Sequence, residues 1–456
     1  MSTDNAPGIS GSTAVEIADS VRALVDRGEL APGDLLPPVR ALAEQLGINR
    51  NTAVAAYRHL ARSGVVVSQG RAGTRIAQRA AVAQEGFAAA GSLRDVGTGN
   101  PDPQLIPDLG PALAAAGGRP VLYGEPVIDR DLERWARDWM AADAPAAVED
   151  VRLTLTSGAV DAVERLLAQA LQRDDAVALE DPCFLASIHL SRIGGYRAVP
   201  VPVDAEGMTV DGLRHALDQG VRAVVSTPRA QNPTGASLSA RRAEQLRDVL
   251  AEHPYVLVIQ DDYYSFLSQQ PFHSIIGPEH RRWALVRSVS KFVGPDMCLA
   301  VTATDPDTAG RLALRLSPGT TWVSHLLQRI THAVMAAPES LELIHRAGAH
   351  YAERNAAFAA RLTALGLPVE AGDGMSLWVP VPVPAREVAD RLMRRGWLVR
   401  TGDEFCLVAT GAPSHHLRLT VHDLSEADAR SLAADVAGAA DIPAFADVAG
   451  TVRSPA

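Results

Sequence analysis

Of the 43 basic side chains in this chain of 456 residues, 42 are arginine and one is lysine. That lysine, Lys291, stands in Ser288-Val289-Ser290-Lys291, directly after the apolar run Trp283 to Val286. An amine in a chain that otherwise uses guanidinium groups marks chemistry that a guanidinium cannot perform. Arginine stays protonated, whereas a partly desolvated lysine can lose its proton and attack an aldehyde. Condensation with a carbonyl is the reaction this position predicts.

A pyridoxal phosphate site needs more than an amine. It needs an acid to keep the ring nitrogen protonated, a stacking partner, donors for the phenolate oxygen and a cup for the phosphate. Candidates for each occur in the order Ser157-Gly158-Ala159, Pro182-Cys183-Phe184, Asn232-Pro233-Thr234-Gly235, Asp261-Asp262-Tyr263-Tyr264, Ser288-Val289-Ser290-Lys291 and Arg418. That order resembles the fold-type I aminotransferases of class I and II, over roughly residues 96–440. The resemblance implies that Lys291 forms the Schiff base and that Asp261 pairs with the ring nitrogen. It implies that Asn232 and either Tyr263 or Tyr264 donate to the phenolate oxygen, and that Phe184 stacks on the ring. Gly158, Ala159, Ser288 and Ser290 fall at the phosphate cup, and Arg418 at the position that grips the carboxylate of a substrate or effector. Tyr123, in Leu122-Tyr123-Gly124-Glu125-Pro126, matches a tyrosine that reaches the phosphate of a neighbouring subunit.

The cup departs from the family pattern. A phosphate-binding arginine usually follows the Schiff-base lysine by seven positions, and here that place is Cys298. After Gly158 come Ala159 and Val160, where hydroxyl or amide side chains are common. The helix start after Gly158, with its backbone donors and dipole, and the two serines remain. A lost charged hydrogen bond costs about 1.5–3 kcal/mol, or roughly one to two decades in affinity, so weaker retention of the phosphate ester is expected.

The elements that carry these residues follow from periodicity. Strand-like runs at Val151 to Leu155, Ala176 to Leu179, Val221 to Val225, Tyr255 to Ile259, Trp283 to Val286 and Leu299 to Ala303 alternate with longer helical patterns. Such alternation predicts an α/β body with a mostly parallel central sheet. Met375 to Val383 and Leu417 to Val421 suggest a smaller α+β subdomain.

The first eighty residues read differently. Val15, Ala18, Val21 and Val25 recur at helical spacing until Gly28 and Pro32-Gly33. A second helix fits Val39 to Leu46. A third fits Arg50 to Ser63, with an apolar face of Ala53, Val54, Tyr57, Leu60 and Ala61. Val65 to Gln69 and Thr74 to Ile76 flank a glycine-containing turn, which predicts a hairpin. Helix, helix, turn, helix, hairpin is the order of a winged helix-turn-helix. Residues 35–76 resemble the DNA-binding head of GntR-family regulators along nearly their whole length. Arg50, Asn51 and Thr52 open the helix that would enter a major groove. Arg40 and Arg71 are placed for phosphate or minor-groove contacts.

Charge agrees with this division. The chain carries a net −10, yet residues 13–79 hold nine Arg against six Asp and Glu, a local +3. A basic head on an acidic body suits electrostatic docking to DNA through the head alone. Three cysteines without CxxC spacing exclude a disulfide framework and a structural zinc site, and no metal is expected. No apolar run approaches the length of a membrane span and the amino terminus lacks a signal-peptide pattern, so a cytoplasmic location is expected.

The expected organisation is a winged helix-turn-helix domain over 10–78, a linker over 79–95, a pyridoxal phosphate-binding body over 96–440 and a flexible tail over 441–456. A GntR-like head on an aminotransferase-like body resembles the MocR subfamily of transcription regulators, closest to its vitamin B6 salvage repressors. That resemblance implies a homodimer that binds promoter DNA and responds to pyridoxal phosphate, a related vitamer or an amino acid. An active aminotransferase carrying an inherited head is the alternative.

Overall fold

The structure, a computed structural model, describes residues 8–62, 65–68, 73–76, 93–118, 120–144, 150–316, 321–407 and 412–441. The chain divides into two compact units, Met1–Ala83 and Gln84–Ala456.

In the head, Thr13 opens helix Ala14–Asp26 with a capping box. The Thr13 hydroxyl accepts from the Glu16 amide, and the Glu16 carboxylate accepts from the Thr13 amide. Two donors that a helix start leaves open are thereby satisfied. Helix Val39–Leu46 stops where Gly47 turns left-handed at φ 66°, a conformation glycine adopts without a Cβ clash. Helix Arg50–Arg62 follows, and Val66–Ser68 pairs antiparallel with Thr74–Ile76. The expected element order is present. The buried face of the third helix is shifted from the expected one: it is Ala53, Ala56, Tyr57 and Leu60, with Val54 half-buried and Ala61 exposed. An i, i+3, i+4, i+7 set at 3.6 residues per turn carries Ala61 off the core. The Tyr57 hydroxyl donates to the Pro37 carbonyl at 2.6 Å, which fastens this helix to the turn ahead of the second.

The body is built on an eight-stranded sheet. Its order is Arg152–Thr156, Ala300–Thr304, Trp283–Ser288, Leu257–Asp261, Ala223–Ser226, Ala176–Asp181, Arg197–Asp204 and Gly207–Met208. The run from Trp283–Ser288 to Arg197–Asp204 is parallel throughout. Ala300–Thr304 runs antiparallel to both its neighbours, and Gly207–Met208 is antiparallel at the far edge. Strand Arg197–Asp204 was not among the expected runs. It contains Pro200 and Pro202, which mark a run as edge or non-strand, and it lies next to the edge where only the two-residue Gly207–Met208 covers it. Val177, Leu179, Val225 and Ile259 fill one face of the sheet, and Ala178, Val224, Val258 and Leu285 the other.

The smaller subdomain has a three-stranded sheet in the order Leu377–Pro380, His416–Leu419, Arg400–Thr401. Helices Pro338–Ala364, Ala385–Met393 and Glu426–Ala439 pack with it around one core. Arg94–Asp95 pairs in parallel with Trp397–Leu398, so the first strand of the body belongs to this subdomain. Among the described residues no helix is long and apolar enough to cross a membrane.

Candidate functional site

A cavity of about 270 Å³ opens at the carboxyl ends of the parallel strands, where α/β sheets place their ligands. Lys291, Asp261, Asn232, Tyr263, Phe184 and Ser290 all line it, together with Ser288, Gly158 and Ala159. Residues up to 133 positions apart in the sequence thus converge because consecutive strands end side by side: Gly158 and Lys291 each follow a strand by two or three residues.

The two adjacent aspartates have separate environments. Asp262 is fully buried and receives both Arg229, at 2.7 and 2.9 Å, and Arg287, at 2.8 Å. Asp261 closes its strand at the cavity wall, and its Oδ1 is buried without a hydrogen-bond partner. Burial, then the neighbouring Asp262 and Glu180 carboxylates, push the Asp261 carboxyl up to about 7. Of the two tyrosines left open by the sequence, Tyr263 lines the cavity and donates to the Ala230 carbonyl at 2.7 Å. Tyr264 sits in the hydrophobic core, and burial raises its hydroxyl well above the ordinary range.

Glu180 went unnoticed in the sequence. It is the last but one residue of the buried strand Ala176–Asp181, lines the cavity, and burial pushes its carboxyl up to about 7. It accepts from the Thr227 amide at 3.0 Å, the Ser226 hydroxyl at 3.3 Å and Gln231 Nε2 at 3.2 Å. Gln231 also donates to the Pro182 carbonyl and accepts from Thr234, so Glu180 steadies the loop that presents Asn232. A glutamate at the end of an apolar run was the available signal.

Lys291 Nζ donates to the Gly99 carbonyl at 2.9 Å. Arg418, fully buried, donates to Asn232 Oδ1 at 3.0 Å and to the Gly97 carbonyl at 2.7 Å. His422 donates to the Asn100 carbonyl at 3.0 Å. Lys291, Arg418 and His422 therefore hold one stretch of backbone, Gly97 to Asn100. Arg418 stands behind Asn232 and does not line the cavity itself.

At the opposite end, helix Ala159–Ala170 begins at Gly158, whose φ of 92° no L side chain adopts readily and which supplies no side-chain cap. Ser288 Oγ and Ser290 Oγ are 3.1 Å apart and bonded to each other. Cys298 is exposed at the cavity rim, its thiol donating to the Pro295 carbonyl. Tyr123 is 91% exposed and packs on Trp322 at 5.3 Å, outside the cavity of its own chain.

In the head, Arg50 and Asn51 are exposed at the start of the third helix and Thr52 is half-buried. Asn49 Oδ1 accepts from the Asn51 amide at 2.8 Å and caps that helix. Arg40 is exposed and paired with Glu44 at 3.2 Å. Arg58 and His59 are also exposed, about two turns along from Asn51, and were not singled out from the sequence. Arg71 lies outside the described residues.

Residues 13–76 match bacterial regulatory proteins of the gntR family, and residues 93–436 match aminotransferase class I and II. The chain is 45% identical over 429 residues to the vitamin B6 salvage pathway transcriptional repressor PtsJ of Salmonella typhimurium, covering 94% of this chain and 98% of that one. It is 27% identical over 266 residues to the pyridoxine biosynthesis transcriptional regulator PdxR of Corynebacterium glutamicum, covering 56% and 57% of the two chains. Among solved structures, the kynurenine aminotransferase of Pyrococcus horikoshii superposes with a TM-score of 0.68 at 19% identity, over 80% of this chain and 96% of that one. At that identity the likeness establishes the fold.

Proposed function

The chain belongs to the MocR group, GntR-family regulators with an aminotransferase class I and II body, and on that premise we propose that it represses vitamin B6 salvage genes in response to pyridoxal phosphate or a related vitamer. Asp261 carries the reading. A buried carboxylate oxygen without a partner, on the wall of a cavity that also holds the chain's one lysine, calls for a protonated ring nitrogen.

Pyridoxal phosphate, when bound, supplies an aldehyde and an electron-withdrawing ring. Lys291 would hold the aldehyde with its amine, and Asp261 would keep the ring nitrogen protonated. Phe184 offers an apolar face for the ring. Asn232 and Tyr263 are the donors for the phenolate oxygen, while Ser288, Ser290 and the helix start at Gly158 and Ala159 border the phosphate end. Arg418, now held behind Asn232, would take the carboxylate of an amino acid effector only by turning from Asn232 Oδ1 toward the cavity. In the head, Arg50, Asn51 and Thr52 would meet base edges, with Arg40 and Arg71 on phosphates.

One short head spans half an operator, so the working form is a homodimer on two half-sites in the cytoplasm. The exposed Leu122 and Tyr123 supply apolar surface for that association, which would carry Tyr123 toward the second subunit's cup. The test measures the affinity of the full chain for its own promoter region as vitamer is added, beside Lys291→Ala. Wild-type affinity should change with occupancy and the variant's should not. Wild-type affinity indifferent to every vitamer overturns the reading.

A further inference from the structure

The third helix of the head, Arg50–Arg62, presents an outward face that its buried face fixes. Ala53, Ala56, Tyr57 and Leu60 set the rotation of the helix in the core, and the Tyr57 hydroxyl locks it on the Pro37 carbonyl at 2.6 Å. At about 100° per residue, the side chains turned farthest from that core are Asn51, Ala55 and Arg58. Spacings of four and three residues stack them in one row along the helix. Asn51 and Arg58 are exposed and Ala55 is half-buried.

The charge on this row is uncommitted. The helix contains no carboxylate. Elsewhere in the head Arg22 pairs with Asp19 at 2.7 Å, Arg27 with Glu29 at 2.6 Å and Arg40 with Glu44 at 3.2 Å, while Arg75 donates to the Gly33 carbonyl at 2.9 Å. Among the head arginines whose side chains are described, Arg50 and Arg58 alone form no side-chain ion pair or hydrogen bond. A guanidinium held by an acid must release it before taking a phosphate, and Arg58 has nothing to release.

Position along the axis decides what each member of the row can reach. Asn51 lies in the first turn, where Asn49 Oδ1 accepts from its amide at 2.8 Å, so it leads when the helix enters a groove end-on. Arg58 follows seven residues later, about 10.5 Å up the axis at 1.5 Å per residue. A major groove is about 8.5 Å deep, so a side chain that far behind the tip stands level with the sugar-phosphate lip rather than with the base edges. Ala55, between the two, carries only a methyl group and lets the duplex come close.

We propose that Asn51, Ala55 and Arg58 form one DNA-facing row in which Arg58 grips a phosphate at the lip of the groove whose bases meet Asn51. Arg58 thereby sets how strongly the head holds any duplex, and the helix tip sets which sequence it prefers. The proposal rests on the DNA-binding reading of the head.

The test follows, by fluorescence anisotropy, binding of the full chain to its own promoter region and to a scrambled duplex of equal length at three salt concentrations. Arg58→Ala should weaken both by about the same factor, on the order of tenfold, and leave their ratio unchanged. It should also reduce the salt slope by about one for each head engaged. Arg58→Lys, which keeps the charge, should restore the slope. Because the Arg58 side chain is exposed, both variants should melt with wild type. Unchanged affinity and slope for Arg58→Ala overturn the proposal. A loss confined to the promoter also overturns it, because that would put Arg58 on a base. In either case Asn51→Ala, by still lowering the promoter preference, leaves the DNA-binding reading standing. Wild type that binds neither duplex overturns both.

Discussion

Arg418 donates to Asn232 Oδ1 at 3.0 Å while its guanidinium carbon lies 4.9 Å from the centre of the Phe405 ring. The two residues proposed for an effector carboxylate and for the phenolate oxygen thus form one unit, and a ligand that engaged either would disturb both. Arg418→Ala should lower the unfolding free energy by about 2–4 kcal/mol, because two charge-assisted hydrogen bonds go and their acceptors stay. Arg418→Lys should fall between, since an ammonium cannot reproduce the planar fork. Urea unfolding of the three proteins decides; a change below about 0.5 kcal/mol for alanine would leave the guanidinium without a structural role.

The two neighbouring aspartates should separate cleanly. Asp262→Asn leaves Arg229 and Arg287 facing a neutral amide in a buried setting and should cost about 3–5 kcal/mol. Asp261→Asn should leave stability at neutral pH unchanged or improved and cut vitamer affinity instead. Denaturant midpoints paired with vitamer titrations test this, and equal destabilisation by the two variants would contradict it.

Stability should also depend on pH through Asp261 and Glu180, raised by burial from 3.8 and 4.5 to about 7. Between those values the folded chain holds protons that the unfolded chain has released. Their contribution is full below about pH 4, falls as pH rises through 7 and is flat above. Wild type should therefore lose stability relative to Asp261→Asn between about pH 4 and pH 7. Urea midpoints of wild type and Asp261→Asn that keep a constant difference across that range would contradict the raised carboxyl.

On the head, Arg50→Ala and Asn51→Ala should each weaken promoter binding by about 1–3 kcal/mol and relax base preference at one position. Arg40→Ala should act uniformly across sequences, reduce the salt slope by about one and also release Glu44 from its ion pair. Binding isotherms on the promoter and on a scrambled duplex, at two salt concentrations, distinguish the patterns.

Lys291, Asp261 and Asn232, which the structure brings to one cavity, could be singled out in the sequence because each proposed role requires a residue type that few others can fill. The choice between Tyr263 and Tyr264 was closed to the sequence, since which of two adjacent side chains faces a cavity depends on the twist of the strand end. Glu180 and Gln231 escaped for a related reason. Their importance comes from burial and from a hydrogen bond across 51 positions, neither of which leaves a local pattern. Strand Arg197–Asp204 was masked by its prolines, and the buried face of the head's third helix was read with Val54 and Ala61 in place of Ala56.

The backbone from Gly97 to Asn100 is the first stretch of the body after strand Arg94–Asp95, and its carbonyls rest on Arg418, Lys291 and His422. The lysine that would greet an incoming aldehyde is already employed as a clasp on the peptide that follows strand Arg94–Asp95. Filling the pocket and seating that peptide are rival claims on a single amine.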